Sequence, residues 1–417
     1  MCPTYERGEE LDMAFDICVV GAGMVGSAAA KWLAMDGTKK VCLIGPQEPT
    51  EEEDRKGERQ IFGCHYDEGR ITREIDPDYV WGLLAKRSIQ RYRDIENESG
   101  IHFYNEVGCV FINKTDSQEF DDYLDTARKL EAYIETYDAS EFHTKYPYLK
   151  INPDCRCIWA PQNTGHISPR KLVAAQQKIA RSHGCDIINE VVVDMEESED
   201  GGKNLVRIST ESGREVLTRR ALLCTGCFSN FHHLLPDEKK LDLLLRRAVV
   251  VKAEVTKEDA VKIADMPTFW LGHERAYILP PILYPDGKYY IKIGLSHFSS
   301  DILQGLDKAV QWFYSKGKEH PGVKDTIDSL QRFMPDLKPV SLITDSCITT
   351  STPTKQLYCD MLTARTGVVV GMNGWGAKSS DEIGRMGASM IGKGSWDHDL
   401  PADNFKVLFK DNKKDTI

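Results

Sequence analysis

Phe15-Asp-Ile-Cys-Val-Val-Gly-Ala-Gly-Met-Val-Gly-Ser-Ala-Ala-Ala-Lys-Trp-Leu-Ala-Met-Asp-Gly-Thr-Lys-Lys-Val-Cys-Leu-Ile44 reads as strand, glycine turn, helix and second strand. The apolar run Ile17-Cys18-Val19-Val20 leads into Gly21-Ala-Gly23-Met24-Val25-Gly26, and the spacing has a mechanical reason. Gly21 allows the tight turn, Gly23 lets a pyrophosphate approach the backbone, and Gly26 lets the helix pack closely on the strand. The turn leads into a helix read from Ser27 onward, whose N-terminus presents free N–H groups and the positive end of its dipole to the phosphates. The second strand, Lys40-Val-Cys-Leu-Ile44, follows Gly37 and completes a βαβ unit of about thirty residues. The stretch predicts a dinucleotide site; a glycine turn that binds nothing is the alternative. One position departs from the pattern. The residue ending the second strand is usually an acid that takes the ribose hydroxyls, and here it is Gly45, followed by Pro46, Gln47 and Glu48. Ribose recognition must come from a neighbour or from backbone.

At 417 residues the chain exceeds a single average core, so two domains are expected. Hydrophobic residues at 41% and charged residues at 28% are globular values, and a net charge of −11 argues against nucleic acid or an anionic membrane surface as partner. No apolar run approaches the ~20 residues needed to span a bilayer. The N-terminus, with Glu6, Glu9, Glu10 and Asp12, lacks the order of a signal peptide, and the end at Ile417 is not a peroxisomal tripeptide. A cytoplasmic protein is the expectation. Twelve scattered cysteines, several inside predicted strands (Cys18, Cys42, Cys224), suit reduced thiols. Cys224-Thr-Gly-Cys227 has zinc-knuckle spacing but no second pair, so no metal is expected.

Along the chain, residues 51–59 read as a charged, solvated loop. Arg70 and Arg73 stand three apart beside Gly69 and an aromatic cluster, and ordinary surface cations are the usual case for such a pair. A helix is predicted from Val80 to Ile95, strand character from Phe103 to Asn113, and a helix from Ser117 to Tyr137. Ser168 caps a further helix with Pro169 at its first position, and Asp186 to Val193 reads as one strand. A short strand then ends in Cys224-Thr225-Gly226. Residues 243–297 alternate as antiparallel strands, two helices follow near Leu306–Gly317 and Val323–Phe333, and the chain closes on strand Gly367–Val370, loop Gly371-Met-Asn-Gly374-Trp-Gly376 and a last helix.

The chain resembles the FAD-dependent amine oxidases of the monomeric sarcosine oxidase and pipecolate oxidase family, among the glycine oxidase and D-amino-acid oxidase-like flavoproteins. The matching stretches run in the family's order: Val20-Gly-Ala-Gly-Met-Val-Gly26, Gly69-Arg-Ile-Thr-Arg73, Cys224-Thr-Gly226, Lys292-Ile-Gly294, Pro335-Asp-Leu-Lys-Pro339, Ser346-Cys347 with Thr352-Pro353, and Gly371-x-x-Gly-x-Gly-x-Lys378. The resemblance implies an α/β fold, α+β overall, in which a Rossmann-type FAD-binding domain (1–105, 160–235 and 335–417) is interleaved with an antiparallel-sheet substrate domain (106–159 and 236–334). It implies FAD held by Gly21, Gly23, Met24, Val25, Gly26, Arg70, Val192, Thr225, Gly226, Gly374, Gly376 and Lys378, and joined covalently through Cys347. It also implies a substrate carboxylate held by Arg73 and Lys378, and Lys292 assisting the reaction with oxygen. Paired cations in a dry cleft suit an amino-acid carboxylate, Arg giving a planar fork and Lys a point charge. A helix N-terminus after glycine amides, as at Gly374 to Lys378, suits the negative charge of a reduced flavin.

The alternatives are a solvated strand-edge lysine at 292 and a core thiol at Cys347. Two departures from the sarcosine enzymes, Ser296 where they carry His and Thr349 where they carry Tyr, argue against sarcosine itself as substrate. The expected function is an FAD-dependent oxidase of a secondary or N-alkyl amino acid, giving an imine and H2O2, acting as a monomer on a small amino-acid-like substrate and O2. The rivals are a primary amino-acid oxidase, a dehydrogenase with another acceptor, and a flavin-binding protein without turnover.

Overall fold

Ile17–Val20 and Val41–Ile44 are buried on both faces because they are central strands, and near-continuous apolar runs are what such strands require. A computed structural model describes residues 14–198, 204–295 and 301–410. The departure at Ser296 and His297 lies outside the described residues, as do the acidic N-terminus and Ile417. Strand Phe15–Val20 pairs in parallel with Val41–Ile44 on one side and Glu215–Leu223 on the other. Glu215–Leu223 pairs in parallel with Thr366–Val370 in turn, within an eight-stranded sheet. The glycine turn, Cys224-Thr225-Gly226 and Gly371–Gly376 therefore all leave the carboxyl edge of one sheet, where open α/β sheets bind their ligands.

Small residues set how closely the helices cover this sheet. A Cβ at Gly384 would meet Ala28 Cβ at 2.5 Å, so helix Gly376–Lys393 can lie against helix Met24–Met35 only without one. The contact is also charged: Asp381, fully buried, accepts from Lys31 Nζ at 2.7 Å, Trp32 Nε1 at 3.2 Å, Gln176 Nε2 at 3.0 Å and Arg91 Nε at 2.7 Å.

A second sheet, nine-stranded, is mostly antiparallel. Leu244–Val255 pairs there with Tyr289–Leu295 and, on its other side, with Ser341–Ser351. A three-stranded sheet carries Arg70–Arg73, which pairs with Thr164–Ile167.

Several local expectations give way. Residues Glu51–Lys56 form a helix, not a loop: Thr50 and Glu53 make a reciprocal capping box, acids fill the first turn, and Gly57 ends it in the left-handed region at φ 68°. The helix predicted over Val80–Ile95 is two, Tyr79–Gln90 and Tyr92–Ser99, broken at Arg91, which bridges Asp381 and Glu382. The helix from Ser117 stops at Lys129, beyond which Glu131 has φ 52° and Glu135–Asp138 is a strand. Asp186–Val193 divides into Asp186–Ile188, parallel to Val41–Ile44, and Val192–Ser198, antiparallel to Leu205–Thr210.

Candidate active site

At the carboxyl edge of the first sheet, a Cβ on Gly21 (φ 112°) would meet Cys224 O at 2.4 Å, and one on Gly26 would meet Gly21 O at 1.8 Å. The turn, the helix and the Cys224-Thr225-Gly226 corner thus touch backbone to backbone. Gly23 and Gly374 are the converse, with nothing within 4 Å of their missing Cβ. No side chain caps the helix at Gly23, which leaves the amides of Met24 and Val25 for a ligand. Thr225 Oγ1 lies 2.8 Å from Ser229 Oγ, Gly226 has φ 56°, and Val192 is packed into the core beneath with Val20 and Ile44, so only its main chain is on offer. A Cβ at Gly45 would meet Ala22 N at 2.4 Å, so an acid has no room there. The first carboxylate beyond it, Glu48, is held on both oxygens by Arg170, at 2.6 Å each.

The loop Gly371–Gly376 ties this edge to the second sheet. Asn373 donates its backbone N–H to Thr350 O at 2.8 Å, and its side-chain oxygen accepts from Thr352 N at 3.0 Å. The strand bearing Cys347 is thereby stitched to the entrance of the last helix. On the sheet face above, Lys292 stands opposite Lys252, and Gly294 opposite Tyr277. Asp345 and Cys347 alternate onto the same face from Ser341–Ser351. Like charges directly opposed destabilise a sheet, and each lysine has its own counter-ion: Lys252 donates to Asp345 at 3.2 Å, Lys292 to Asp67.

Lys292 is wholly buried, not a solvated edge lysine. Its ammonium also donates to Gly69 O at 2.8 Å, and burial, then the nearby Arg70 charge, pulls its pKa well below the usual lysine range. Asp67 further pairs with Arg70 and accepts from Tyr284 OH at 2.8 Å; Arg70 donates its other nitrogen to Cys64 O at 3.0 Å. Cys64 is solvent-accessible, and desolvation by the surrounding chain pushes its thiol up to about 11. Cys347, half-buried, is within electrostatic range of Cys64, Cys227 and Arg70.

On the opposite face of Arg70–Arg73, Arg73 and Lys378 meet. Arg73 Nη2 donates to Asp76 at 3.2 Å and Lys378 Nζ donates to the same oxygen, all three residues being at most 3% exposed. The guanidinium lies 5.1 Å from the Trp270 ring centroid and 5.7 Å from that of Phe111. Burial lowers Lys378 to about 8 against the opposing pull of Asp76. Two buried donors here have no protein partner, Arg73 Nε and Tyr123 OH, and such groups cost about 1–3 kcal/mol each if left so. Lys378 is the third residue of the last helix, which begins at Gly376, and Tyr92 OH fixes its carbonyl at 2.9 Å.

Sequence reasoning named all four cations but paired only Arg73 with Lys378, and it missed both carboxylates. The signal was present: Asp67 precedes Arg70 by three residues, and Asp76 follows Arg73 by three. It also missed Cys64 and Tyr123, which reach the site only through folding. The residues fit FAD: an open glycine cradle with uncapped amides, and a second glycine loop at a helix N-terminus on the same sheet edge.

Residues 16–390 match the family model described as FAD dependent oxidoreductase. Monomeric sarcosine oxidase of Bacillus sp. (strain B-0618) is 23% identical over 400 residues, covering 93% of this chain and 94% of that protein. N-methyl-L-tryptophan oxidase of Yersinia pestis (strain Pestoides F) is 22% identical over 208 residues, 49% of this chain and 53% of its own. The open form of NikD, an unusual amino acid oxidase essential for nikkomycin biosynthesis, superposes with a TM-score of 0.70 at 17% identity, covering 95% of this chain and 98% of its own. With an open glycine cradle at the carboxyl edge of the sheet and a family match across residues 16–390, the protein belongs to the FAD-dependent oxidoreductases.

Proposed function

We propose that the chain oxidises a secondary or N-alkyl amino acid at the carbon next to nitrogen. What supports the reading is one observation above all: Arg73 and Lys378, 305 residues apart by number, converge on a single buried carboxylate oxygen, with Arg73 Nε still unpartnered. That arrangement is complementary to a carboxylate, and the similarity to enzymes named for sarcosine and N-methyl-L-tryptophan points to amino-acid substrates with a substituted nitrogen. FAD, which the Gly21–Gly26 turn and the Gly374–Gly376 loop would hold, would supply the redox chemistry, a two-electron oxidation of the substrate with O2 as final acceptor and H2O2 as the reduced product. Arg73 and Lys378 hold and orient the carboxylate, while Trp270 and Phe111 keep water from the guanidinium. A fixed ammonium in a dry site stabilises charge developing on O2 far better than a solvated one, which is the role we assign Lys292. No side chain need act as a strong base when the amine binds neutral, and the imine product is hydrolysed or, for cyclic substrates, retained. Cys347 is read as the residue that would hold the flavin as a thioether, compensating for the missing acid at Gly45. Flavin released entirely into the supernatant on acid precipitation rules that link out.

The test of the reaction is anaerobic bleaching of the flavin by sarcosine, proline, pipecolate and larger N-alkyl amino acids beside the matching decarboxylated amines. Bleaching by the amino acids and not the amines, with H2O2 formed in air, is the expected result; equal oxidation of both series removes the carboxylate clamp. A second reading, a dehydrogenase with another acceptor, is favoured by Asp67, which neutralises the ammonium of Lys292. Rapid reduction by substrate with slow reoxidation by O2 would select it.

A further inference from the structure

Asp76 has no role in the reaction as read so far, yet it is 1% exposed and touches both cations of the clamp. We infer that Asp76 is a specificity-determining residue that sets the charge of the clamp so that it accepts a substrate bearing one carboxylate and rejects one bearing two; the inference rests on the clamp reading above. The argument is charge balance in a place without water. Two cations and one carboxylate leave the site a single net positive charge, which one substrate carboxylate neutralises. A second carboxylate would be buried with no cation to meet it, and an uncompensated buried charge is among the most unfavourable contacts available. Trp270 and Phe111 flank the guanidinium, and a further charged group within electrostatic range of Arg73, the half-buried Glu119, is an acid that accepts from Trp270 Nε1 at 3.0 Å. It adds to the bias against a second negative charge. The unpartnered Arg73 Nε and Tyr123 OH supply donors for one carboxylate group beside the one Asp76 occupies.

The experiment uses the holoenzyme and two non-oxidisable anions of the same size, malonate and its monomethyl ester, titrated by calorimetry and by perturbation of the flavin spectrum. Wild type should bind the monoester roughly 10-fold or more tightly than malonate, since like-charge juxtaposition in a buried contact costs several kcal/mol. In Asp76→Asn, which keeps the shape and removes the charge, the site carries two uncompensated cations and the preference should reverse. Flavin content and Tm of the variant are checked, and the wild-type ratio stands as a test should it not fold. Equal binding of the two anions by the wild type, or an unchanged ratio in Asp76→Asn, overturns the inference while leaving the clamp intact. Binding of neither anion to the wild type, or monoester binding indifferent to Arg73→Ala, removes the clamp and the inference with it.

Discussion

Two buried centres flank the strand Arg70–Arg73, and each is built from one arginine, one lysine and one aspartate. Arg70 and Lys292 share Asp67 on one side; Arg73 and Lys378 share Asp76 on the other. The same ingredients produce different sites because their remaining partners differ. Around Asp67 the valences are filled: Tyr284 donates to the carboxylate, Gly69 O accepts from the lysine, and Cys64 O accepts from the arginine. Around Asp76 they are not, for Arg73 Nε and Tyr123 OH lack partners. A satisfied ion cluster is a fixed electrostatic fixture; an unsatisfied one is a receptor. That is the physical ground for giving the Lys292 centre to the oxygen reaction and the Lys378 centre to substrate.

The strongest way to break this division is Arg73→Ala. It leaves a substrate carboxylate partly unpaired in a desolvated cleft, and KM should rise by the equivalent of roughly 2–5 kcal/mol, with reoxidation of the reduced flavin by O2 unchanged. A variant whose reoxidation falls in step with its KM rise would show that the two centres are not separate. Next in size, Lys292→Met keeps much of the stem and removes the charge. By the scale of losing one preorganised electrostatic donor, reoxidation measured by stopped flow should slow about 10²–10³-fold, while anaerobic reduction changes far less. Reoxidation at the wild-type rate would leave Lys292 a structural residue.

Two smaller effects sharpen the comparison. Lys378, lowered by burial to about 8, must be charged to hold an anion, so its contribution is complete below that pH and is lost as pH rises through it. The dissociation constant of acetate, itself ionised throughout, should climb above pH 8 in the wild type and stay flat in Lys378→Met. In stability the sign is opposite: the unfolded chain keeps this lysine protonated up to its ordinary pKa, so between about 8 and that value the unfolded state binds more protons and stability from this group increases with pH. Asp67→Asn removes the counter-ion of a lysine whose pKa burial already pulls down, so the ammonium should lose its proton and reoxidation should slow part-way toward the Lys292→Met rate. Faster reoxidation in Asp67→Asn would mean that the ammonium survives and that the aspartate damps it.

The dinucleotide half of the molecule was legible in local sequence to a degree the rest was not. The turn at Gly21 and the close approach at Gly26 are legible from spacing alone because they are a property of a dozen consecutive residues. The capped helix Pro169–Ser182 is legible for the same reason, with Ser168 Oγ accepting from Lys171 N at 3.2 Å. The helix at Glu51–Lys56 shows the limit: its charge run suggested solvent, while the capping box that decides it was spelled out in Thr50 and Glu53. It buries no residue, and its caps, the dipole and the Glu52–Lys56 ion pair at 3.3 Å hold it.

What the sequence by itself determined is the βαβ cradle, the order of the motifs around it and the residue types available for chemistry, since each depends on short-range periodicity and backbone sterics. What only the tertiary structure decided is which charges meet. Whether Lys292 is a solvated edge residue or a buried one, whether Gly45 could have been an acid, and whether Arg73 and Lys378 stand alone or share Asp76 all depend on atoms brought together from distant parts of the chain. Burial is a property of the packed whole, and the strength and sign of an electrostatic interaction are set by the dielectric and the partners that packing creates.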